Sequence, residues 1–282
     1  MRLATVVEDG RPTIVVVRDG RFVALELPHH RRPTMREVAG FDADELRAVR
    51  EWADEQPDGA YRPIEGVVLG PAVPDPGAIY TIGLNYHAGS GADPDRPERP
   101  LVYGKLPSSM AGHGATLTWD RKLTPNVDAE VELGVVIGQP ATAVAPEDAL
   151  RHIFGYTIVD DVSSRDEWLD GDQWLLGKSM AGFCPVGPWV VTPNEIEPDD
   201  LRLGCTINGI PIQDGSTAAM RFSIEGVIAF LSRHVTLRPG DLIATGTPAR
   251  LEGPLGPDRH LEPGDVVTCW IEGIGELTTR VA

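Results

Sequence analysis

Acidic side chains in one stretch of the sequence have the spacing of a cation site. Glu130 and Glu132 project to the same side of an extended strand, because side chains two residues apart share a face. The apolar run from Gly134 to Gly138 predicts a buried strand, so both carboxylates begin near the interior. Two buried carboxylates need a proton, a neighbouring Arg or Lys, or a bound cation. A Glu-x-Glu pair also occurs on solvated strands, so the pair alone leaves both interpretations open.

A third acid suited to the same site follows about thirty residues later in the chain. It is Asp161, at the end of the segment from Gly155 to Asp161, which is typical of a strand that runs into a loop. Together with Glu130 and Glu132 it would give an all-oxygen ligand set. Such a set suits a hard divalent ion such as Mg²⁺ or Mn²⁺.

Lysine is sparse enough in this chain to be informative. Of the 25 basic residues only Lys105, Lys122 and Lys178 are lysines. An ammonium group is compact and changes its protonation more readily than a guanidinium, so a lysine kept among arginines is a candidate for chemistry. Lys178 lies among apolar and small residues and is our candidate catalytic lysine. A surface lysine without a role is the alternative.

The composition argues against several classes of partner. At 282 residues, with 41% hydrophobic and 24% charged residues, the chain has the composition of an ordinary globular protein. Its formal net charge of −17 argues against nucleic acid and anionic membranes, because both are bound through basic patches. No apolar stretch is long enough to span a bilayer. The three separated cysteines lack zinc or disulfide spacing, which indicates reduced core residues and a cytoplasmic protein.

Local patterns predict the N-terminal elements. Three apolar runs within residues 2–26 are separated by Asp9-Gly10 and Asp19-Gly20, which predicts a three-stranded β-meander. A helix is expected to follow, capped by Asp42 or Asp44 and ending near Asp54.

The remainder of the chain predicts a larger, strand-rich unit. A Pro- and Gly-rich stretch from Pro57 to Pro76 leads into it, and Asn208-Gly209 predicts a tight hairpin. Apolar residues recur at helical spacing between Ser223 and Arg233 and predict an amphipathic helix. We expect an α+β, β-rich fold, with a small N-terminal α+β domain over residues 1–72 and a catalytic domain over residues 73–282.

Several motifs, in the same order along the chain, resemble those of the fumarylacetoacetate hydrolase family. They are Asp-x-Glu-x-Glu-Leu at residues 128–133, the segment from Gly155 to Asp166, and Gly-Lys-Ser at residues 177–179. The resemblance runs from about Ile79 to the C-terminus. It implies the mixed β-sheet and roll fold of that family and a homodimer. It also implies that Glu130, Glu132 and Asp161 bind Mg²⁺ or Mn²⁺ while Lys178 assists.

Other segments resemble the family's substrate pocket. Tyr86 ends a Gly-Leu-Asn-Tyr motif, Gln213 begins Gln-Asp-Gly-x-Thr, and Thr247 lies in Thr-Gly-Thr-Pro. The resemblance implies that these three residues contribute to substrate binding. Arg165 could balance the acidic site, pair with Asp166, or grip a substrate carboxylate in a bidentate manner, and we include it among the catalytic candidates.

The chain departs from the family pattern in the loop after Tyr86. Family members usually carry a His and a Glu there, which are thought to position and activate water, whereas this chain has Gly89 and Ala92. His87 is our candidate to replace the missing base from a shifted place, and His113 is the alternative. The gap puts chemistry that consumes water in doubt more than it does metal binding.

Two further departures concern the edge of the site. Asp160 stands where the family commonly has Asn, so it either faces away from the metal site or adds negative charge to it. After Thr-Gly-Thr-Pro the usual Gly-containing continuation is replaced by Ala249-Arg250-Leu251-Glu252-Gly253. The pocket rim is therefore expected to differ here.

The resemblance implies chemistry on a small-molecule dicarboxylate or 2-oxo acid. A divalent ion would polarise the carbonyl and stabilise the enolate left when a neighbouring C–C or C–H bond breaks. Hydrolysis of an acylpyruvate or a fumarylacetoacetate-like diketo acid is placed slightly first. Isomerisation, tautomerisation or decarboxylation is the alternative, since the lid pair is missing. A third hypothesis is a metal- and metabolite-binding protein without turnover.

Overall fold

The computed structural model describes residues 1–27, 32–87, 97–256 and 259–282, apart from the side chains of Glu167 and Asp170. The strands are β1 (Arg2–Glu8), β2 (Arg11–Arg18), β3 (Arg21–Ala24), β4 (Arg62–Pro63), β5 (Ile79–Gly83), β6 (Leu101–Lys105), β7 (Met110–Ala111), β8 (Thr116–Leu117), β9 (Val127–Asp128), β10 (Val131–Ile137), β11 (Ile153–Asp160), β12 (Ser163–Ser164), β13 (Cys184–Val191), β14 (Arg202–Ile207), β15 (Ile210–Ser216), β16 (Leu242–Ala244), β17 (Val266–Ile271) and β18 (Gly275–Val281). The α-helices are α1 (Met35–Ala39), α2 (Ala43–Glu55), α3 (Glu167–Gly171), α4 (Trp174–Gly177) and α5 (Ile224–Ser232).

Strands dominate the architecture and, within the described ranges, form three sheets. The largest has eleven strands in the order β4-β3-β2-β1-β13-β11-β10-β16-β5-β6, with β7 paired to β13 off this path. A five-stranded sheet has the order β15-β14-β17-β18-β8, and β12 pairs with β9. β16 pairs in parallel with β5 in the eleven-stranded sheet, and β18 pairs in parallel with β8 in the five-stranded sheet. Because these parallel pairs lie among antiparallel ones, both of these sheets are mixed. The expectation of a β-rich α+β fold with mixed sheets is confirmed.

The N-terminal meander forms as its turns predict. Asp9 and Gly10 have φ values of 50° and 71°, and Asp19 and Gly20 have φ values of 48° and 69°. These are the left-handed conformations that two-residue hairpin turns require, which Asp and Gly tolerate. β1 also pairs with β13, so the meander extends the large sheet. The domain boundary near residue 72 stays a prediction.

The two longer helices begin where their capping residues predict. Asp42 caps α2 by accepting hydrogen bonds from the backbone amides of Asp44 and Glu45, and Ser223 caps α5 through the amide of Gly226. Both side chains satisfy amides that have no partner inside the helix. Within the described part of the chain, no helix has the length and apolar character needed to cross a membrane.

β10 and β11 are central strands of the eleven-stranded sheet and pack in the core against the five-stranded sheet. Every residue of both strands is buried, and their antiparallel register places Val131 opposite Asp160 and Glu132 opposite Val159. All three cysteines are buried and unbridged, as expected of reduced core residues. Polar side chains at the ends of β10 and β11 therefore lie in a largely apolar interior, where each needs a hydrogen-bond partner or a group of opposite charge.

Candidate active site

The ends of β10 and β11 bring three carboxylates together. Glu130 immediately precedes β10, Glu132 lies within it, and Asp161 follows the last residue of β11. The backbone amide of Asp161 donates to the carbonyl of Glu130 at 2.9 Å, which fixes the two ends against each other. One ligand oxygen from each of the three residues lies within 4.8 Å of the others. The predicted acidic triad is therefore assembled in space; its role in metal binding stays a prediction.

Two buried lysines hold the Asp161 carboxylate from opposite oxygens. Lys105 Nζ donates to Asp161 Oδ1 at 2.5 Å, and Lys178 Nζ donates to Asp161 Oδ2 at 2.5 Å. Burial by itself would raise the pKa of Asp161, but the two ammonium groups lower it to about 2. Asp161 therefore stays ionised at physiological pH.

Lys178 is the predicted lysine, and its ammonium group is fixed at the site. It follows α4, its Nζ donates to Ser163 Oγ at 2.8 Å, and it lies 3.6 Å from Glu130 Oε2. Burial would lower the pKa of Lys178, but the neighbouring carboxylates of Asp161 and Glu130 raise it overall. Lys178 therefore carries a positive charge and acts as a hydrogen-bond donor.

Glu132 is held by a backbone amide from a neighbouring loop. Gly246, which follows β16, donates its N–H to Glu132 Oε2 at 2.8 Å. Gly246 has a φ of +100°, and a Cβ there would lie 2.6 Å from the Cβ of Asn85. Glycine is needed at this position for its conformation and for the close approach of the loop.

The negative charge of the triad favours a bound cation. Burial raises the pKa of Glu132 well above its usual value, and the charges of Asp161 and Glu130 raise it further. The three residues offer only oxygen ligands, two of them on buried side chains. A hard divalent ion such as Mg²⁺ or Mn²⁺ fits this donor set, because it would balance the negative charge that raises the pKa of Glu132.

Asp160 and Arg165 both bond to residues at or beside the triad. Asp160 is buried, and its Oδ1 accepts the backbone N–H of Glu130 at 2.9 Å, so it supports the loop that carries a triad residue. Burial raises the pKa of Asp160 to about 7. Arg165 donates from Nη2 to Glu130 Oε1 and from Nε to Asp128 Oδ2 at 3.1 Å. It therefore balances acidic charge at the site, while its catalytic role stays a prediction.

The triad opens into a cavity of about 650 Å³. That volume is in the range of small-molecule binding sites. The described residues that line it are Thr81, Ile82, Gly83, Leu84, Tyr86, Tyr103, Asp128, Ala129, Glu130, Glu132, Asp161, Arg165, Trp174, Lys178, Gln213, Arg221, Thr247, Pro248, Ala249 and Arg250.

The three predicted substrate-binding residues all line this cavity, but two of them also form hydrogen bonds that connect strands and loops of the protein. Gln213 accepts the N–H of Val131 at 2.9 Å and donates to Thr247 Oγ1 at 2.6 Å. Thr247 Oγ1 in turn donates to the carbonyl of Val131 at 2.8 Å. Their polar groups therefore position β10 beside the loop after β16. Tyr86 differs, because its buried hydroxyl has no hydrogen-bond partner among the described residues.

The two histidines considered as replacements for the lid base lie away from the cavity wall. The side chain of His87 is exposed, and His87 is absent from the described residues that line the cavity. His113 Nδ1 accepts the backbone N–H of Thr278 at 3.3 Å, which is a structural contact. Gly89 and Ala92 lie outside the described residues. His87 as a base stays an untested prediction.

Three residues of the site were absent from the predicted set. Lys105 was noted only as one of three lysines, although its rarity was as strong a signal as that of Lys178. Asp128 was noted only as part of a motif, and Arg250 only as a departure at the rim. Asp128 Oδ1 accepts from Arg250 Nη1 at 3.2 Å and also contacts His260 Nδ1 at 2.7 Å.

Comparison with known proteins gives a consistent result. Residues 78–282 match the family model described as fumarylacetoacetate hydrolase, C-terminal. Oxaloacetate tautomerase YisK of Bacillus subtilis (strain 168) is 39% identical over 243 residues, which is 83% of this chain and 81% of that protein.

Solved structures resemble the whole chain. A fumarylacetoacetate hydrolase from Exiguobacterium antarcticum has a TM-score of 0.84 at 33% identity, covering 100% of this chain and 99% of that one. Maleylpyruvate hydrolase from Sphingobium sp. SYK-6, in complex with manganese(II) and pyruvate, has a TM-score of 0.80 at 28% identity, with the same coverage.

Proposed function

This chain belongs to the fumarylacetoacetate hydrolase family, and from that premise we propose that it catalyses keto-enol tautomerisation of a 2-oxo acid of the oxaloacetate class. Mg²⁺ or Mn²⁺ would be held by Glu130, Glu132 and Asp161. The observation that carries this proposal is the convergence of three carboxylates, with ligand oxygens within 4.8 Å of one another, beside a buried lysine in a cavity.

The chemistry divides between the bound ion and the chain's own side chains. When bound, the divalent ion would supply Lewis-acid polarisation of the 2-oxo carbonyl. Lys178 donates a hydrogen bond toward the oxygen on which negative charge develops, and its raised pKa keeps it in the donor form. Asp161 orients this ammonium group, and Lys105 balances the remaining charge of Asp161 from its other oxygen.

Tyr86 is our candidate for holding a proton beside Glu132. Burial raises the pKa of its phenol, and the charge of Glu132 raises it further, so the hydroxyl keeps its proton. Tyr86 lines the cavity, and its hydroxyl is a buried donor without a hydrogen-bond partner among the described residues. When an enol becomes a ketone, the carbon gains a proton and the enol oxygen loses one. Tyr86 would give its proton to the carbon and recover one from the enol oxygen, so the protons balance and no water is consumed.

Tautomerisation is preferred to hydrolysis because of what the cavity contains. A hydrolase needs a base for water. His87 is exposed and is not among the described lining residues, and the sequence has Gly89 and Ala92 where the family usually carries its lid pair. The similarity to oxaloacetate tautomerase YisK supports the same choice.

Hydrolysis of an acylpyruvate or a fumarylacetoacetate-like acid is the second candidate. It is favoured by the full-length likeness to maleylpyruvate hydrolase, which was solved with manganese(II) and pyruvate. The cavity of about 650 Å³ also has room for a substrate larger than a four-carbon acid. Decarboxylation and metabolite binding without turnover are outcomes that the same experiment distinguishes.

The test is an assay of purified protein with Mg²⁺ or Mn²⁺ against enol-oxaloacetate and a panel of acylpyruvates. We expect ultraviolet absorbance of the enol to decay faster than in buffer with the same ion, while NMR detects no pyruvate. Rapid pyruvate release from an acylpyruvate would favour hydrolysis, and carbon dioxide release from oxaloacetate would favour decarboxylation. Binding without any turnover would refute the enzymatic proposal.

We also propose that the chain forms a homodimer, as the family resemblance implies. Light scattering coupled to size-exclusion chromatography tests this, and a molar mass near the 30.4 kDa of a single chain would contradict it.

A further inference from the structure

We propose that Arg250 is a specificity-determining residue that binds the second carboxylate of a 2-oxo dicarboxylic acid. The proposal rests on the function proposed above, because it assumes that the first carboxylate and the 2-oxo group bind at the acidic triad. Arg250 lies in the segment that follows Thr-Gly-Thr-Pro, and it lines the cavity.

Arg250 belongs to a charged cluster on one wall of the cavity. Asp128 lies between two guanidinium groups, accepting from Arg165 Nε at 3.1 Å and from Arg250 Nη1 at 3.2 Å. Arg165 also donates to Glu130 of the triad. Asp128 and Arg165 therefore link Arg250 to the triad through a chain of hydrogen bonds within the cavity lining.

The charges around the cavity favour an anionic ligand once a cation is bound. The described lining includes the carboxylates of Asp128, Glu130, Glu132 and Asp161 together with the cationic side chains of Lys178 and Arg250. Lys105 adds a buried ammonium group that bonds to Asp161. A divalent ion at the triad adds positive charge to this partly buried site, where an anionic ligand would balance it.

Arg250 shares its counter-ion with other groups. Among the described residues, Asp128 is the carboxylate paired with Arg250; it also accepts from Arg165, and its Oδ1 contacts His260 Nδ1 at 2.7 Å. A substrate carboxylate placed beside Arg250 would give it a second acceptor.

Arg250 is held rigidly and keeps donors for such a group. Its side chain is 16% exposed, and hydrogen bonds to Asp128 Oδ1 and to the carbonyl of Arg259 engage two of its five N–H donors. Its Nε is fully buried, so the donors left for a ligand are the second N–H groups of Nη1 and Nη2. A guanidinium fixed in this way loses little conformational entropy when it binds a carboxylate through paired hydrogen bonds.

The experiment compares two substrates that differ only in the distal carboxylate: oxaloacetate and its 4-methyl ester. The wild-type protein with Mg²⁺ is expected to prefer oxaloacetate in kcat/KM. Arg250→Gln should reduce that preference by about tenfold to a hundredfold, the loss expected for a hydrogen bond between charged groups. Arg250→Lys keeps the positive charge but lacks the paired N–H donors of a guanidinium group, so it should restore part of the preference.

An equilibrium measurement supports the same comparison without turnover. Calorimetry with malate and 2-hydroxybutanoate, in the presence of Mg²⁺, should show a preference for malate that Arg250→Gln reduces by a similar factor. Arg21→Gln is the matched control, because Arg21 is also a half-buried arginine that donates to main-chain carbonyls, those of Asp58 and Tyr61, but does not line the cavity or contact Arg250. It should leave both preferences unchanged.

The outcomes separate this inference from the proposed function. If oxaloacetate is tautomerised but Arg250→Gln keeps the wild-type preference, or Arg21→Gln changes it equally, the role of Arg250 is refuted and the function stands. If neither substrate reacts, the proposed function fails, and the malate comparison alone decides whether Arg250 recognises a second carboxylate. A wild-type protein that discriminates neither pair overturns the inference.

Discussion

Replacing Glu132 by glutamine is expected to remove metal binding while it stabilises the metal-free protein. Glu132 is 3% exposed and shares the interior with the carboxylates of Glu130 and Asp161. Glutamine has the same shape, and its carbonyl oxygen can still accept the N–H of Gly246, which lies 2.8 Å from Glu132 Oε2. Because the pKa of Glu132 is raised, the metal-free protein already relieves part of the charge repulsion by protonation. The substitution makes this neutral state permanent and leaves the packing in place.

The expected magnitudes follow from the spacing of the carboxylates. At a separation of about 5 Å, two unit charges repel by ~3 kcal/mol at an effective dielectric constant of 20. Lys178 and Lys105 offset most of this repulsion, so we expect a net gain of ~1 kcal/mol, which raises the melting temperature by about 2–4 °C in a chain of this size. In the wild type, an ion at a hundred times its Kd stabilises by ~2.7 kcal/mol, or roughly 5–10 °C.

Thermal denaturation with and without Mn²⁺ measures both effects in one experiment. The wild type should melt at a higher temperature with the ion, and Glu132→Gln should show almost none of this ion-dependent increase. Asp265→Asn is the matched control, because Asp265 is also a buried acid but pairs with Arg259 away from the triad. It should lower the melting temperature and keep the ion-dependent increase.

Two results would refute the reasoning about Glu132. An ion-dependent increase in Glu132→Gln equal to that of the wild type would remove Glu132 from the ligand set. A metal-free melting temperature well below that of the wild type would show that the negative charge of Glu132 stabilises the fold.

Three further predictions test other parts of the site. Lys178→Met should lower kcat by about a hundredfold to a thousandfold with the fold retained, because it removes a positioned donor, and steady-state kinetics with a loss below tenfold would contradict this. His87→Ala should keep the tautomerisation rate within about threefold, since His87 is exposed and outside the described cavity lining, whereas a loss of about a hundredfold would identify it as the base. Burial raises the pKa of Asp241, so the folded state keeps its carboxyl protonated to higher pH than the unfolded state does. The stability of the wild type therefore falls as pH rises from the ordinary pKa of an aspartate toward the raised pKa of Asp241. Asp241→Asn should lack this component in urea denaturation across that pH window, and identical pH profiles would contradict the assignment.

Local features of the sequence determined the elements and the acidic triad. The alternation of side chains in a strand was enough to place Glu130 and Glu132 on one side, and Asp161 follows a strand that its apolar run predicts. Asp-Gly turns and capping residues such as Asp42 and Ser223 predicted hairpins and helix starts correctly. These features depend on backbone geometry within a few residues, which the sequence encodes directly.

The partners of the triad were decided by the tertiary structure. Lys105 meets Asp161 across 56 residues of sequence, and Gly246 meets Glu132 across 114. The second contact exists because β16 lies between β10 and β5 in the large sheet. Strand order of this kind is set by the packing of the whole chain. The sequence therefore showed the motif that contains Gly246, but it did not show that the Gly246 amide bonds to Glu132.

The same limit applies to charge at the cavity wall. From the sequence, Asp128 and Arg250 are an acid and a base 122 residues apart, and only the fold makes them an ion pair beside Arg165. Likewise, Gln213 and Thr247 were predicted as pocket residues, but the structure shows their polar groups bonded to the backbone of Val131. Sequence patterns specify which chemical groups are available and their local direction. Which of those groups remain available to a ligand is decided by long-range packing, because a buried polar group must find its partner wherever the fold brings one within hydrogen-bonding distance.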